Sequence, residues 1–312
     1  MSDGGRAQYS ILRFARCSTS VLRSPLVRDL CMSTDSSLDR ETATAFAESW
    51  NRLPAGSVYT REQFLDWFAP LDPESFRGKD VLELGFGNGS LLVHMAGVAP
   101  ARLCGVELGD TLEAARRNVE AVASPETTVE LHHGDLTRID VGSYDLVYCI
   151  GVLHHLKDPE AGFAAVLRHT RPGGAFHVWV YAREGNAVVR YLVDPVRKVS
   201  SRLPWWLTKY GVALPLVLPY FVYAKTLRGL WPKGAPRWLR PLLPLHDYSL
   251  WIASRGLGFF HHVAFDQLVT PTTVYLSRET VDRWLSEPTV EPGSTYVVFR
   301  NANSWKLGGK KK

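Results

Sequence analysis

Val81-Leu82-Glu83-Leu84-Gly85-Phe86-Gly87-Asn88-Gly89 decides the fold of this chain. A short apolar run ends in alternating glycines, and Leu91-Leu92-Val93-His94-Met95-Ala96 continues it as a helix. A strand turning through glycines into a helix opens a βαβ unit. Glycines at such a turn take positive φ and let a ligand approach the backbone. The pattern is G-x-G-x-G, with Ser90 where a dinucleotide fingerprint would place its third glycine. The G-K-[ST] of a phosphate-binding loop is absent. Glu83 is ill suited to an anionic pyrophosphate and fits a ligand that carries positive charge.

The rhythm repeats outward from this unit. Leu103–Val106, Val129–Leu131, Asp145–Ile150 and Ala175–Tyr181 read as strands, with a helix from Thr111 to Ala123 between the first two. Asp158-Pro159 opens another helix, Asp as N-cap and Pro at the first helical position. Pro172-Gly173-Gly174 reads as a turn. Upstream, helices are expected over Asp39–Trp50 and Arg61–Phe68; downstream, Ser277 caps a helix to Leu285, and Tyr296–Phe299 pairs with a strand near Trp305. The expectation is an α/β fold, a doubly wound Rossmann-like sheet with a helical Pro/Trp-rich insertion before the last helix and strands. The segments are an extension at 1–38, an α/β core at 39–181, the insertion at 182–262, the rest of the core at 263–307 and a basic tail at 308–312.

Three acids stand at successive strand ends: Glu83, Glu107 and Asp135. A carboxylate after the second strand can accept both hydroxyls of a ribose. Asp135 could hold an adenine amino group. Such acids can also simply cap the helices that follow. Their coincidence with the glycines fits a cationic nucleoside ligand.

In motif order, VLELGFGNG (81–89), GVEL (105–108), HGDL (133–136), YDLVYCIGVLHHL (144–156) and RHTRPGG (168–174) resemble the class I S-adenosylmethionine-dependent methyltransferases. The last two are similar to the small-molecule and lipid branch that includes the ubiquinone and menaquinone methyltransferases. SWNR (49–52), VYAREGN (180–186), FDQLVTP (265–271) and RNANSW (300–305) resemble uncharacterised bacterial methyltransferase-domain proteins. The resemblance implies a seven-stranded fold and S-adenosyl-L-methionine as cofactor. It implies that Glu83, Gly85 and Gly87 lie against the methionine part, with Phe86, Asn88 and Gly89 also binding the cofactor. Glu107 and Leu108 would hold ribose, Asp135 and Leu136 would flank adenine, and Ile150 and Gly151 would line the floor under the sulfonium.

A hydroxyl acceptor also needs a base. His154 and His155 follow the fourth strand and are the first candidates; His261, His262 and Asp266 come second. His261 and His262 have no third metal ligand at a recognisable spacing, so no metal is expected. The fourth strand lacks the Asn/Asp-Pro-Pro-Tyr/Phe ending of family members that methylate planar amino nitrogens, which speaks against nucleic acid as acceptor.

Charge and cysteines bound the rest. The 312 residues are 46% hydrophobic with a formal net charge of +5, enough for a sizeable core. Nine Lys/Arg and no acid fall in 195–246, and five Arg fall in 1–31. The N-terminal stretch has no secretory apolar core, and its composition is that of a disordered extension or an organellar transit peptide. Met32 is a second candidate start. Cys104 and Cys149 read as buried thiols of a reducing cytosol, so a cytoplasmic place is expected.

The insertion holds eight of the 19 prolines and five of the ten tryptophans. Leu203–Tyr223 has one charge, Lys209, and reaches the length of a membrane span. Pro215 and Pro219 within it each remove a helix bond. A lid over the acceptor, an interface-resting helical pair and a true span are the three readings. The missing acids favour an anionic partner. The expected activity is methyl transfer to oxygen or carbon of a small hydrophobic or anionic acceptor, with peripheral membrane contact through 203–245. A tRNA-modifying enzyme and a non-catalytic cofactor-binding scaffold are the alternatives.

Overall fold

The computed structural model describes residues 37–50 and 59–312. The extension expected at 1–38 lies outside the described residues except for its last two. Those open a helix, α1 (Ser37–Trp50). α2 (Arg61–Phe68) is capped by Thr60, whose side chain accepts from the Gln63 N–H.

The βαβ units follow as β1 (Asp80–Leu84), α3 (Leu92–Ala96), β2 (Arg102–Glu107), α4 (Leu112–Glu120) and β3 (Thr128–His133). Then come β4 (Tyr144–Ile150), α5 (Pro159–His169) and β5 (Thr170–Tyr181). Asp158 caps α5 by accepting from the Glu160 and Ala161 N–H groups at 3.0 and 3.1 Å. After the insertion, α10 (Arg278–Leu285), β6 (Tyr296–Arg300) and β7 (Ser304–Lys310) complete the core. The seven strands lie in the order β3-β2-β1-β4-β5-β7-β6. β1 to β5 pair in parallel, and β7 runs antiparallel between β5 and β6. The expected α/β doubly wound sheet is therefore present.

Strands buried on both faces read as unbroken apolar runs, which is why β1 and β4 were legible. Alternate residues serve opposite faces. Leu82, Leu84, Val106 and Val178 join α5 and α10 on one side, where Phe163 stacks on Trp284 at 4.6 Å. Val81, Leu103, Tyr148 and Trp179 meet Phe64, Trp67 and Phe68 of α2 on the other. Cys104 and Cys149 are free and buried.

Two expectations are corrected here. Pro172-Gly173-Gly174 is not a free turn but the start of β5, and residues 308–312 are not a tail. The Gly173 N–H donates to the Lys311 carbonyl at 2.8 Å, and the Lys311 N–H to that of Gly174 at 2.9 Å. The Lys311 ammonium donates to the Leu167 carbonyl and that of Lys312 to the Pro288 carbonyl. The chain's last residues complete the sheet.

The insertion comprises α6 (Asp194–Ser200), a helix continuous over Leu207–Leu230, α8 (His246–Ile252) and α9 (Leu257–Val269). The long helix starts with π-helical turns at Leu207–Ala213 and becomes regular as α7 (Leu214–Leu230). It stays helical through Pro219. α9 runs unbroken across residue 262, so the expected boundary there falls inside a helix. The core resumes by Val274, whose N–H donates to the His154 carbonyl, and Leu276, whose N–H donates to that of Tyr181.

Candidate functional site

Strand order reverses between β1 and β4, and ligands of open α/β sheets bind at the carboxyl ends beside such a switch point. One pocket opens there. It is lined by Glu83, Gly85, Phe86, Gly87, Glu107, Leu108, Asp135, Leu136, Ile150 and Gly151, ten of the residues expected to hold the cofactor.

Asn88 and Gly89 do not line it. The Asn88 side chain turns back to accept from the Ser90 N–H and hydroxyl. A Cβ on Gly89 would stand 3.3 Å from the Ala115 backbone, so this glycine serves the close packing of α4 against the loop. The loop is held from β2 and α4. Glu107 accepts from the Gly87 N–H at 2.8 Å and the Gly109 N–H at 2.7 Å. The Thr111 hydroxyl donates to the Gly87 carbonyl, and Asn118 donates to that of Asn88. Thr111 and Asn118 carry no local pattern that would single them out.

The three acids differ in state. Glu83 is buried at the floor and accepts from the Tyr148 hydroxyl at 2.8 Å. Burial pushes its carboxyl up to about 8, Tyr148 opposes, and Glu107 adds to the rise. A cation beside Glu83 would reverse that shift. Burial also raises Glu107, against the three backbone N–H groups of Gly109, Gly87 and Leu108. Asp135 uses Oδ1 to close its own turn on Thr137, and Arg138 sits 3.5 Å from Oδ2. A buried acid at the floor and a second acid beside the glycines fit a cationic nucleoside such as S-adenosylmethionine.

The two expected bases part company. The short 3₁₀ turn Leu153–His155 sends one ring into the pocket wall and the other into the core. His155 lines the pocket; its Nδ1 lies 3.0 Å from the Thr272 carbonyl. A carbonyl only accepts, so Nδ1 carries the proton and Nε2 keeps its lone pair. Burial pushes His155 down to about 4. His154 is fully buried, with neither ring nitrogen hydrogen-bonded, and packs on the Tyr181 ring at 3.9 Å. Burial holds it well below its usual range, and it does not reach the pocket.

Among the second candidates, Asp266 lines the pocket, and His262 Nε2 lies 3.2 Å from its Oδ2. Burial pushes His262 down to about 4. The His261 ring meets the Lys209 carbonyl at 2.7 Å, so the adjacent histidines diverge and form no metal pair. Elsewhere among the described residues, Cys104, Glu130 and His132 bring donor atoms within 4.8 Å of one another, and none of them lines the pocket.

The rest of the wall escaped sequence reading. Thr42, Ala43, Phe46 and Ala47 of α1 contribute, with the Phe46 ring 5.1 Å from that of His155. Trp67, Trp179 and Tyr181 continue it, Trp67 and Trp179 stacked at 5.3 Å. Tyr248, Trp251, Phe259 and Val263 of the insertion close it. Arg300 reaches this wall but is held by the Asp66 carboxylate and lies over the Trp251 ring.

Known proteins share this core. Residues 82–178 match the family model described as a methyltransferase domain. An uncharacterised Synechococcus protein is 31% identical over 122 residues, 37% of this chain and 28% of that protein. A ubiquinone biosynthesis O-methyltransferase of Thiobacillus denitrificans is 33% identical over 122 residues, 39% of this chain and 48% of the enzyme. The chain thus spans less than half the length of these two relatives. Among solved structures, an O-methyltransferase family protein of Burkholderia thailandensis aligns with 12% identity and a TM-score of 0.49, covering 86% of this chain and 59% of that one. The motif order, the sheet and the family match agree that this chain carries a class I S-adenosylmethionine-dependent methyltransferase domain.

Proposed function

We propose that this chain is an enzyme that transfers a methyl group from S-adenosylmethionine to oxygen or carbon of a small hydrophobic acceptor. The observation that carries this reading is the make-up of one pocket. Strand-end acids and the glycine loop form one part of its wall, and aromatic rings of α1, α2, β5 and the insertion form a second part. The cofactor supplies an activated methyl on a sulfonium. Glu83 supplies negative charge for the cationic end, and Glu107 accepts from the ribose hydroxyls. The aromatic wall excludes water and aligns the acceptor. With Arg300 engaged by Asp66, the wall favours a hydrophobic acceptor over an anionic one. The reading includes a lipid-like acceptor, met by peripheral contact of 203–245 with a membrane. Nothing in the pocket favours tRNA, and the intact loop and acids speak against a scaffold that has lost its chemistry.

Calorimetric titration of the full chain with S-adenosylmethionine, S-adenosylhomocysteine and NAD tests the cofactor. Micromolar binding of both adenosyl ligands and none of NAD is expected. Release of S-adenosylhomocysteine on mixing with phenols and isoprenoid phenols, and not with tRNA, tests the acceptor class. Methylation of tRNA alone would overturn it.

For a hydroxyl acceptor, Nε2 of His155 takes the proton the acceptor loses. His155→Ala is then expected to lower kcat by about 10²-fold or more, as loss of a general base does. His154→Leu should keep turnover, because that imidazole lies outside the pocket. With its pKa near 4, His155 is already the free base at pH 6, so kcat at saturating cofactor should be flat from pH 6 to 8. An inflection near 6.5 would contradict this assignment.

A further inference from the structure

Eleven of the fifteen large apolar side chains exposed among the described residues fall between 191 and 242. Trp238 is 75% exposed, Leu242 73%, Val222 64% and Trp206 55%. Patches of this kind mark contact surfaces rather than ordinary scatter.

The helix Leu207–Leu230 concentrates the anomaly. It is long and apolar enough to cross a membrane, yet most of it is not buried. A helix apolar all round belongs in a core or in lipid. Its inner face, Ala213, Val217, Ala224 and Leu227, is buried. Its outer face, where a soluble helix carries charge, offers Leu218, Pro219 and Val222, and no charged residue occurs between Lys209 and Lys225.

Charge names the occupant. Of the nine basic residues in 195–246, Lys198, Arg202, Lys225, Arg228, Lys233, Arg237 and Arg240 are exposed, and none has an ion-pair partner among the described residues. Cations beside exposed Trp and Leu, without a single acid, complement an anionic lipid surface.

We propose that the 191–242 surface docks on an anionic bilayer, with the outer face of α7 resting among the headgroups. Two helical layers, α7 and then α8 with α9, lie between that outer face and the pocket. The inner face of α7 packs on Ile252 of α8 and Phe260 of α9, whose neighbours Trp251 and Phe259 line the pocket. Docking would hold the pocket close to an acceptor dissolved in the bilayer. That consequence rests on the proposed methyl transfer, whereas the docking rests on the surface alone.

Co-sedimentation of the full chain with vesicles of phosphatidylcholine alone, or with 30% phosphatidylglycerol, tests it. The anionic vesicles should bind at least tenfold more tightly, and less so at high salt. Leu218→Asp with Val222→Asp should abolish binding, and Lys225→Glu with Arg228→Glu should weaken it at least fivefold. All four side chains are exposed, so neither pair disturbs the core. Cofactor binding in the absence of vesicles should stay within twofold for both pairs. Unchanged sedimentation overturns the docking and leaves the methyl-transfer reading standing. Vesicle binding without cofactor binding does the reverse. A dimer that Val222→Asp dissociates, with no vesicle binding, overturns it in favour of a second copy. Retention in vesicles through an alkaline wash overturns it in favour of a span.

Discussion

Gly87→Val should abolish S-adenosylmethionine binding, weakening it by more than about 100-fold, while the chain stays folded. Gly87 lines the pocket with φ of +54°, a conformation that a β-branched residue adopts only under strain. Its N–H is fixed by Glu107 and its carbonyl by Thr111, so the loop cannot flatten without losing both bonds. Strain of this kind costs about 1–3 kcal/mol. Relieving it pulls Glu107 from the position proposed for ribose binding, and the valine side chain adds bulk at the pocket wall. The change lies at a pocket wall rather than between packed layers, so the thermal midpoint should fall by only a few degrees. Calorimetric titration and a melting curve on the same sample separate the two effects. Binding within tenfold of the parent would remove the glycine loop from the cofactor site.

What the sequence shows and what it hides follow from the range of the forces involved. β1, β2 and β4 were legible because parallel strands bury both faces and so read as apolar runs. α5 was legible because Asp158-Pro159 writes its start locally. The last strand was legible only at its start near Trp305, because the lysines at its end read as a solvated tail. Lys306 is nevertheless buried, its ammonium donating to the Asp66 carbonyl, and Lys311 reaches the end of α5. A long side chain can satisfy its charge on distant carbonyls while its backbone pairs, and no local pattern records that.

The site divides the same way. Its glycine-loop side lies within one run of βαβ units, so spacing led to Glu83, Glu107 and Asp135, which line one pocket. Its aromatic side is assembled from α1, α2, β5, α8 and α9, elements up to more than 200 residues apart in sequence, and tertiary contact alone brings them together. Adjacent histidines could not be told apart either. The 3₁₀ turn decides which of His154 and His155 meets the pocket, and that turn is set by the Thr272 and Val274 backbone far downstream. Composition left the insertion ambiguous because a lid and an interfacial helix use the same residues. α7 shows both at once, one face packed inward and one facing out.

Binding of S-adenosylmethionine should release close to one proton at pH 7 and tighten about 50-fold between pH 6 and pH 8. Glu83 titrates near 8 rather than 4.5, chiefly through burial, so about nine chains in ten carry its proton at pH 7. A cationic ligand prefers the carboxylate, so the proton must leave as the ligand arrives. Each unit of pH below 8 therefore costs about 1.4 kcal/mol of affinity, and above 8 the dependence levels off. The same shift lowers the stability of the ligand-free chain as pH rises from 4.5 to 8, because the folded state holds a proton the unfolded state has released. Titration in buffers of different ionisation enthalpy reads the proton count directly. Glu83→Gln should abolish both the release and the slope and leave weak, pH-flat binding. Tyr148→Phe removes the hydroxyl that favours the carboxylate, so the levelling-off should move to higher pH. If parent affinity is flat from pH 6 to 8 with no proton released, Glu83 does not face the cation, and the charge match that places the cofactor must come from elsewhere in the pocket.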